Sequence, residues 1–292
     1  MLNGVILLWS ILTALSVAFV AIDIRTTPES TVMKWGFVLV TLFTGPFGAF
    51  LYVLGCREPL PGTHEAYVAA PWRQALGSTM HCVAGDGVGI LVGAVIAAVL
   101  ALPPLADFLL EYMLGFLFGW GIFQALFMRD MVGGSYTRAL TTTFIPELTS
   151  MNCLMAGMAI VSMIGKANVA GTQPSSPAFW FIMSMALLVG LCAAYPMNYW
   201  LVSKKLKHGM TTVRPKQSAP ATAGMAARTA GHGMADMPGM AAMPDMAAKP
   251  NMKMDHGHMD MTPKVTRGTI ALVVALSFVV LIIGVAIGLA FA

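Results

Sequence analysis

The chain is poor in charge. Only 10% of its 292 residues are Asp, Glu, Lys or Arg, while 57% are hydrophobic; soluble domains carry about 25% charged residues. That scarcity excludes an ordinary water-soluble enzyme, and so much apolar surface excludes a wholly disordered chain. Cysteine is scarce too. Cys56, Cys82, Cys153 and Cys192 stand far apart, so the paired-cysteine signature of a zinc module is absent. Around Gly133-Gly134 the loop 129–144 carries Arg129 and Arg138 but no Gly-rich run ending in Lys-Ser/Thr, which excludes a phosphate-binding loop and ATP-driven pumping. His81 is read as the one histidine near an apolar stretch, too few to hold haem from two sides. No Ser-His or paired-Asp constellation stands at a depth suited to intramembrane hydrolysis. The sequence therefore implies no enzyme and no nucleic-acid partner.

What is abundant is length of apolar chain. About 20 apolar residues cross a bilayer as a helix, because lipid offers the backbone no other hydrogen-bond partner. Seven such stretches are read, at roughly 2–23, 33–55, 83–101, 105–128, 146–165, 178–202 and 268–291. Pro103-Pro104 separates the third from the fourth by a tight hairpin. The first lacks a basic leader and a small-residue cleavage site and is read as a retained helix. The last contains no lysine, which excludes a retinal Schiff base. The fold class expected is thus an all-α integral membrane bundle of about seven helices. It divides into a six-helix domain (1–203), a disordered basic Met/His-rich loop (204–267) and a C-terminal anchor (268–292).

Charge is uneven. Residues 204–267 hold ten Lys/Arg against four Asp. Lys204, Lys205 and Lys207 follow the sixth stretch directly, so the Lys/Arg rule places this loop in the cytoplasm. With seven crossings the N-terminus would lie inside and the C-terminus outside. One local signal disagrees, since the first helix has more cations after it than before it.

The loop is rich in methionine. Ten Met fall between Met225 and Met261: Met225, then Met234, Met237, Met240, Met243 and Met246 at every third position, then Met252, Met254, Met259 and Met261. His232, His256 and His258 lie among them. Interleaved Pro, Gly and Ala leave nothing to build a core, so the segment should be disordered when empty. Thioethers are soft neutral ligands that select Cu(I), and Ag(I) as its mimic, over zinc or magnesium. The runs Met237-Pro-Gly-Met240, Met243-Pro-Asp-Met246 and Met254-Asp-His-Gly-His-Met259 resemble the methionine motifs of bacterial copper-resistance proteins. A bland alternative remains, in which Met is an adaptable apolar surface for a protein partner.

Polar residues within the apolar stretches extend the soft-metal reading, because ionisable groups at membrane depth are usually paired or functional. His81, Cys82 and Asp86 open the third stretch. Cys82 and Asp86 share a face with Gly85, Gly89 and Gly93, a close-packing seam. Glu111, Gly115 and Gly119 mark a partner face on the fourth. Glu147, Met151, Met155, Met158 and Ser162 form a stripe on the fifth. Pro196 is expected to break the sixth helix beside Met197 and Asn198. The candidate intramembrane metal ligands are His81, Cys82, Asp86, Met151 and Met155.

Three runs carry a family resemblance: His81-Cys82-Val83-Ala84-Gly85-Asp86, Gly115-Phe116-Leu117-Phe118-Gly119, and Ala194-Tyr195-Pro196-Met197-Asn198-Tyr199-Trp200. From His81 to about Val202 the chain resembles an uncharacterised family of bacterial multi-pass membrane proteins grouped only as a domain of unknown function. That resemblance implies a membrane bundle and no particular activity. The functional expectation therefore rests on the residues: a Cu(I)-binding inner-membrane protein of copper homeostasis, passing metal between the loop and an intramembrane site. Its expected partners are the lipid bilayer and a copper chaperone or copper-dependent membrane enzyme. Competition from cytosolic thiols would favour a periplasmic loop, against the charge count.

Overall fold

A computed structural model describes residues 2–209 and 265–292. Ten α-helices occur among them: α1 (Leu2–Asp23), α2 (Thr31–Thr44), α3 (Pro46–Gly55), α4 (His64–Val68), α5 (Pro71–Val99), α6 (Pro104–Phe116), α7 (Ala125–Met131), α8 (Tyr136–Asn168), α9 (Pro177–Ser203) and α10 (Arg267–Phe291). A π-helical segment, Leu117–Gln124, joins α6 to α7 without a break. The described residues contain no strand. The all-α membrane bundle is therefore what forms. The methionine-rich loop expected at 204–267 lies almost wholly outside the described residues, so Met225, Met234 to Met261 and the three histidines among them have no described position.

Six helical stretches are long and apolar enough to cross a membrane: Leu2–Asp23, Pro71–Val99, Pro104–Arg129, Tyr136–Asn168, Pro177–Ser203 and Arg267–Phe291. The stretch expected to span at 33–55 is different. It is two short helices folded back on each other. Phe37 of α2 and Tyr52 of α3 meet edge to face with ring centroids 5.5 Å apart, and a Cβ on Gly48 would fall 2.6 Å from the Thr41 Cα. At 1.5 Å per residue, α2 is about 21 Å long, too short for a hydrocarbon core of about 30 Å. The reversal is made at Gly45, whose φ of 60° and ψ of −135° suit only glycine, with Pro46 opening α3. Such backbone survives at membrane depth only when buried in protein. Here Trp9 and Thr13 of α1 cover it, within 2.9 Å and 2.7 Å of where a Gly45 Cβ would stand.

This re-entrant hairpin changes the topology. Its two ends and the 24–30 loop share one end of the bundle, where Arg57 Nε donates to Asp23 Oδ2 at 2.8 Å and Tyr52 Oη to the same oxygen at 2.8 Å. With six crossings, the start of α1 and the end of α10 lie at one end. The end of α9 and the start of α10 lie at the other. Among the described residues, Lys166 is then the lone Lys or Arg at the first end, and ten stand at the second. The disagreement at the first helix disappears, because Arg25 and Lys34 join the other cations.

The expected glycine seam forms. Gly89 and Gly93 of α5 lie against Leu114, Gly115 and the Glu111 backbone of α6, the close approach that small residues at four-residue spacing permit. A Gly89→Ala methyl would run into the Leu114 carbonyl and come 2.8 Å from the Gly115 Cα. Backbone cannot yield as a flexible side chain would. We expect Gly89→Ala to cost about 1–3 kcal/mol, read as a lower midpoint of thermal unfolding in detergent. Gly121→Ala, whose methyl meets nothing nearer than 3.8 Å, should leave that midpoint unchanged.

Pro196 does not break its helix: α9 runs through it to Ser203. α8 likewise runs through Pro146, so Glu147 sits well inside a helix and caps nothing.

Candidate functional site

A buried polar cluster lies where α5, the π segment, α8 and α9 converge, toward the end of the bundle at which α9 stops and α10 begins. Cys82 of α5 is its hub. The Cys82 thiol donates to Glu147 Oε2 at 3.1 Å, and Gln124 Nε2 donates to Cys82 Sγ at 2.9 Å. Lys207, four residues beyond α9, turns back into the cluster. Its Nζ lies 2.6 Å from Cys82 Sγ, 3.1 Å from Glu147 Oε2 and 2.9 Å from Asn198 Oδ1. Asn198 Nδ2 in turn donates to Ser150 Oγ at 2.8 Å. The set is almost dry: Glu147 and Asn198 are fully buried and Lys207 is 6% exposed.

Asp86 completes it from one helical turn along α5. Its carboxyl fills the notch left by Gly119 and faces Glu147. Both Asp86 oxygens and Glu147 Oε1 lack a donor from any other side chain, so these oxygens have only each other. Gly119 and Gln124 are five residues apart. In an α-helix that separation would turn them to different faces, whereas the wider π turn stacks them toward α5. Helical periodicity at 3.6 residues thus had no way to pair Gln124 with Gly119.

Lys207 is the electrostatic centre. Burial alone would drive its amine toward the neutral form, but Cys82 and Glu147 outweigh that and hold the ammonium above the ordinary lysine range. The cluster is therefore a cation site whose cation is tethered to the chain. Breaking a buried pair of this kind strands the remaining charge, and that is its main energetic consequence.

The structure sorts the expected ligands. Cys82 and Asp86 belong to the cluster, together with Glu147. His81, one residue along, points elsewhere: its ring lies between Phe123 and Phe127, and Nε2 donates to the Phe123 carbonyl at 3.3 Å. Met151 and Met155 are fully buried in the apolar core. The Met151 methyl stands 2.6 Å from where a Gly115 Cβ would be, a packing role. Sequence reasoning counted Lys207 only as a flanking charge, and no local pattern marks a lysine that returns into the bundle.

At the opposite end Lys166 Nζ binds Asp107 Oδ2 at 2.6 Å and Glu111 Oε1 at 3.1 Å. This pair of acids tied to one lysine locks α6 to α8.

Residues 71–207 match the model of a family described as a domain of unknown function, DUF4396. The match takes in the whole cluster from Cys82 to Lys207 and stops short of the methionine-rich segment. No curated protein and no solved structure matches the chain.

Proposed function

We propose that this membrane protein serves copper homeostasis in a bacterial cytoplasmic membrane, capturing Cu(I) on the Met/His segment and exchanging it with the cluster around Cys82. The observation that carries the reading is the donor set: ten thioethers and three imidazoles between Met225 and Met261, with five Met at every third residue. That set suits a soft monovalent ion and little else. The bundle supports it by position. Both flanks of the segment, Lys207 and Arg267, lie at the end of the bundle that the Cys82 cluster faces.

Cu(I) carries the same single positive charge as the Lys207 ammonium and takes its place beside Glu147 as Lys207 withdraws; the Cys82 thiol gives up its proton to solvent as its sulfur takes the ion as thiolate. The ion would meet the Cys82 sulfur and the Glu147 carboxylate. His81 takes no part. The excess of Lys and Arg at the segment's end makes that end cytoplasmic by the positive-inside rule. Thioethers hold copper more weakly than thiolates, so a cytoplasmic segment exchanges copper and does not store it.

Metal content of the purified chain, loaded anaerobically with Cu(I) and desalted, tests this. The intact chain should retain several ions. A variant with the ten segment methionines replaced by leucine keeps the apolar bulk a protein partner would need, but should retain one ion at most. Adding Cys82→Ala should remove that last ion. Equal copper on the intact and leucine chains, or none on either, rejects the reading and favours a partner-binding segment.

A further inference from the structure

A second constellation lies outside that cluster, where the 24–30 loop, the base of the re-entrant hairpin and α4 meet. Glu29, Cys56 and His64 converge there, each less than 10% exposed. One donor atom from each lies within 4.8 Å of the other two, and His64 Nε2 stands 3.0 Å from Glu29 Oε1. Two further atoms are buried without any partner, Glu29 Oε2 and His64 Nδ1. Buried polar atoms are normally satisfied, so a buried carboxylate and a buried imidazole each with an idle atom mark a place built for something more. Among the described residues this is the one such grouping of three.

We propose that Glu29, Cys56 and His64 bind a divalent transition-metal ion of borderline softness, of the zinc(II) class, and so clamp the base of the re-entrant hairpin to the loop after α1. Three arguments select that class. Thiolate, imidazole and carboxylate together are the mixed donor set of four-coordinate zinc-type ions, and three protein ligands leave the fourth position open. Tetrahedral bonds of 2.0–2.3 Å place neighbouring donors about 3.3–3.8 Å apart, between the 3.0 Å of His64 Nε2 to Glu29 Oε1 and the 4.8 Å that bounds the three. Charge is the third. A thiolate and a carboxylate together carry two negative charges, which a divalent ion cancels and Cu(I) would not, and a neutral assembly is far cheaper to bury.

Binding involves one proton. The Cys56 thiol is held above its ordinary range by burial first and Glu29 second, with Lys34 opposing, so without metal it is protonated. The ion displaces that proton to solvent and takes the sulfur as thiolate, with no change of oxidation state. Cys56 and His64 stand eight residues apart with Glu29 well upstream, in three different elements, and that arrangement matches no spacing motif.

The site goes beyond the copper reading and does not depend on it. The test uses the full chain in detergent, with His232, His256 and His258 replaced by alanine so that the segment cannot hold the probe through imidazole. Titration with cobalt(II) should give a thiolate-to-metal charge-transfer band that saturates at one ion per chain and is displaced by zinc(II). Cys56→Ser should abolish the band, and Cys82→Ser should leave it intact. Should Cys56→Ser fail to fold, Glu29→Gln decides. It keeps the shape of the side chain and should weaken cobalt by more than the roughly tenfold that loss of even an outer-shell partner costs. No thiolate band, or a band that follows Cys82 and ignores both Cys56 and Glu29, overturns the site whatever becomes of copper on the segment.

Discussion

Replacing Lys207 with methionine destabilises the bundle by roughly 3–5 kcal/mol, the cost of leaving one member of a buried ion pair alone. The side chain keeps most of its length, so the loss is electrostatic. Glu147 retains only the Cys82 thiol, and Asn198 Oδ1 loses its donor. Removing the acid as well should restore most of the stability: the double variant Lys207→Met with Glu147→Gln is expected to unfold closer to the parent than to Lys207→Met. A simple loss of packing would predict additive losses instead. The sign of the pH dependence follows from the same group. Lysine's pKa is raised in the folded state, so its contribution is complete at neutral pH and is lost only as pH climbs through that raised value. Thermal unfolding of the parent, of Lys207→Met and Glu147→Gln singly and of the double variant, in one detergent between pH 6 and pH 9, checks both points; a Lys207→Met midpoint equal to the parent's would contradict them.

The re-entrant hairpin makes an all-or-none prediction. Cysteines introduced at Thr26, in the loop after α1, and at Ser218, in the methionine-rich segment, should react with an impermeant maleimide from the same side of the membrane. A cysteine at Gln173, between α8 and α9, should react only from the other side. If α2 and α3 together crossed the bilayer, Thr26 would instead sort with Gln173. Cys192 is exposed on α9 but lies within the membrane-crossing helix, and its reaction can be measured in the parent chain and subtracted. Gly45 is the point on which the hairpin turns. Gly45→Ala combines a backbone conformation costing of order 1–3 kcal/mol with a clash against Trp9 and Thr13, and should unfold the hairpin before the rest.

How far these features can be read from sequence depends on the range over which each is determined. The six long helices were legible because an apolar run of that length has one stable state in lipid. The α5–α6 seam was legible because glycines at a fixed four-residue spacing leave a notch whatever lies opposite. The hairpin was not. Residues 33–55 are as apolar as a spanning helix, and only the glycine–proline pair at 45–46, together with a shortfall of turn-to-turn length on either side, distinguishes reversal from a kink. Cys82, Asp86 and Glu147 were each visible as polar residues in apolar helices. Their cation was not, because Lys207 reaches them by tertiary folding. His81 misled for a local reason: adjacent residues on a helix point about 100° apart, so it and Cys82 face different neighbours. His64 was passed over because it stands in a short helix outside the spans.

The copper reading turns on what surrounds the captured ion. X-ray absorption at the copper edge, on the intact chain loaded with Cu(I) and kept anaerobic, reads that environment directly. The account predicts a first shell dominated by sulfur, unchanged between pH 7 and pH 5 because thioethers do not titrate whereas imidazole does. A nitrogen-dominated shell that is lost at pH 5 would assign the ion to His232, His256 and His258 and contradict capture by methionine.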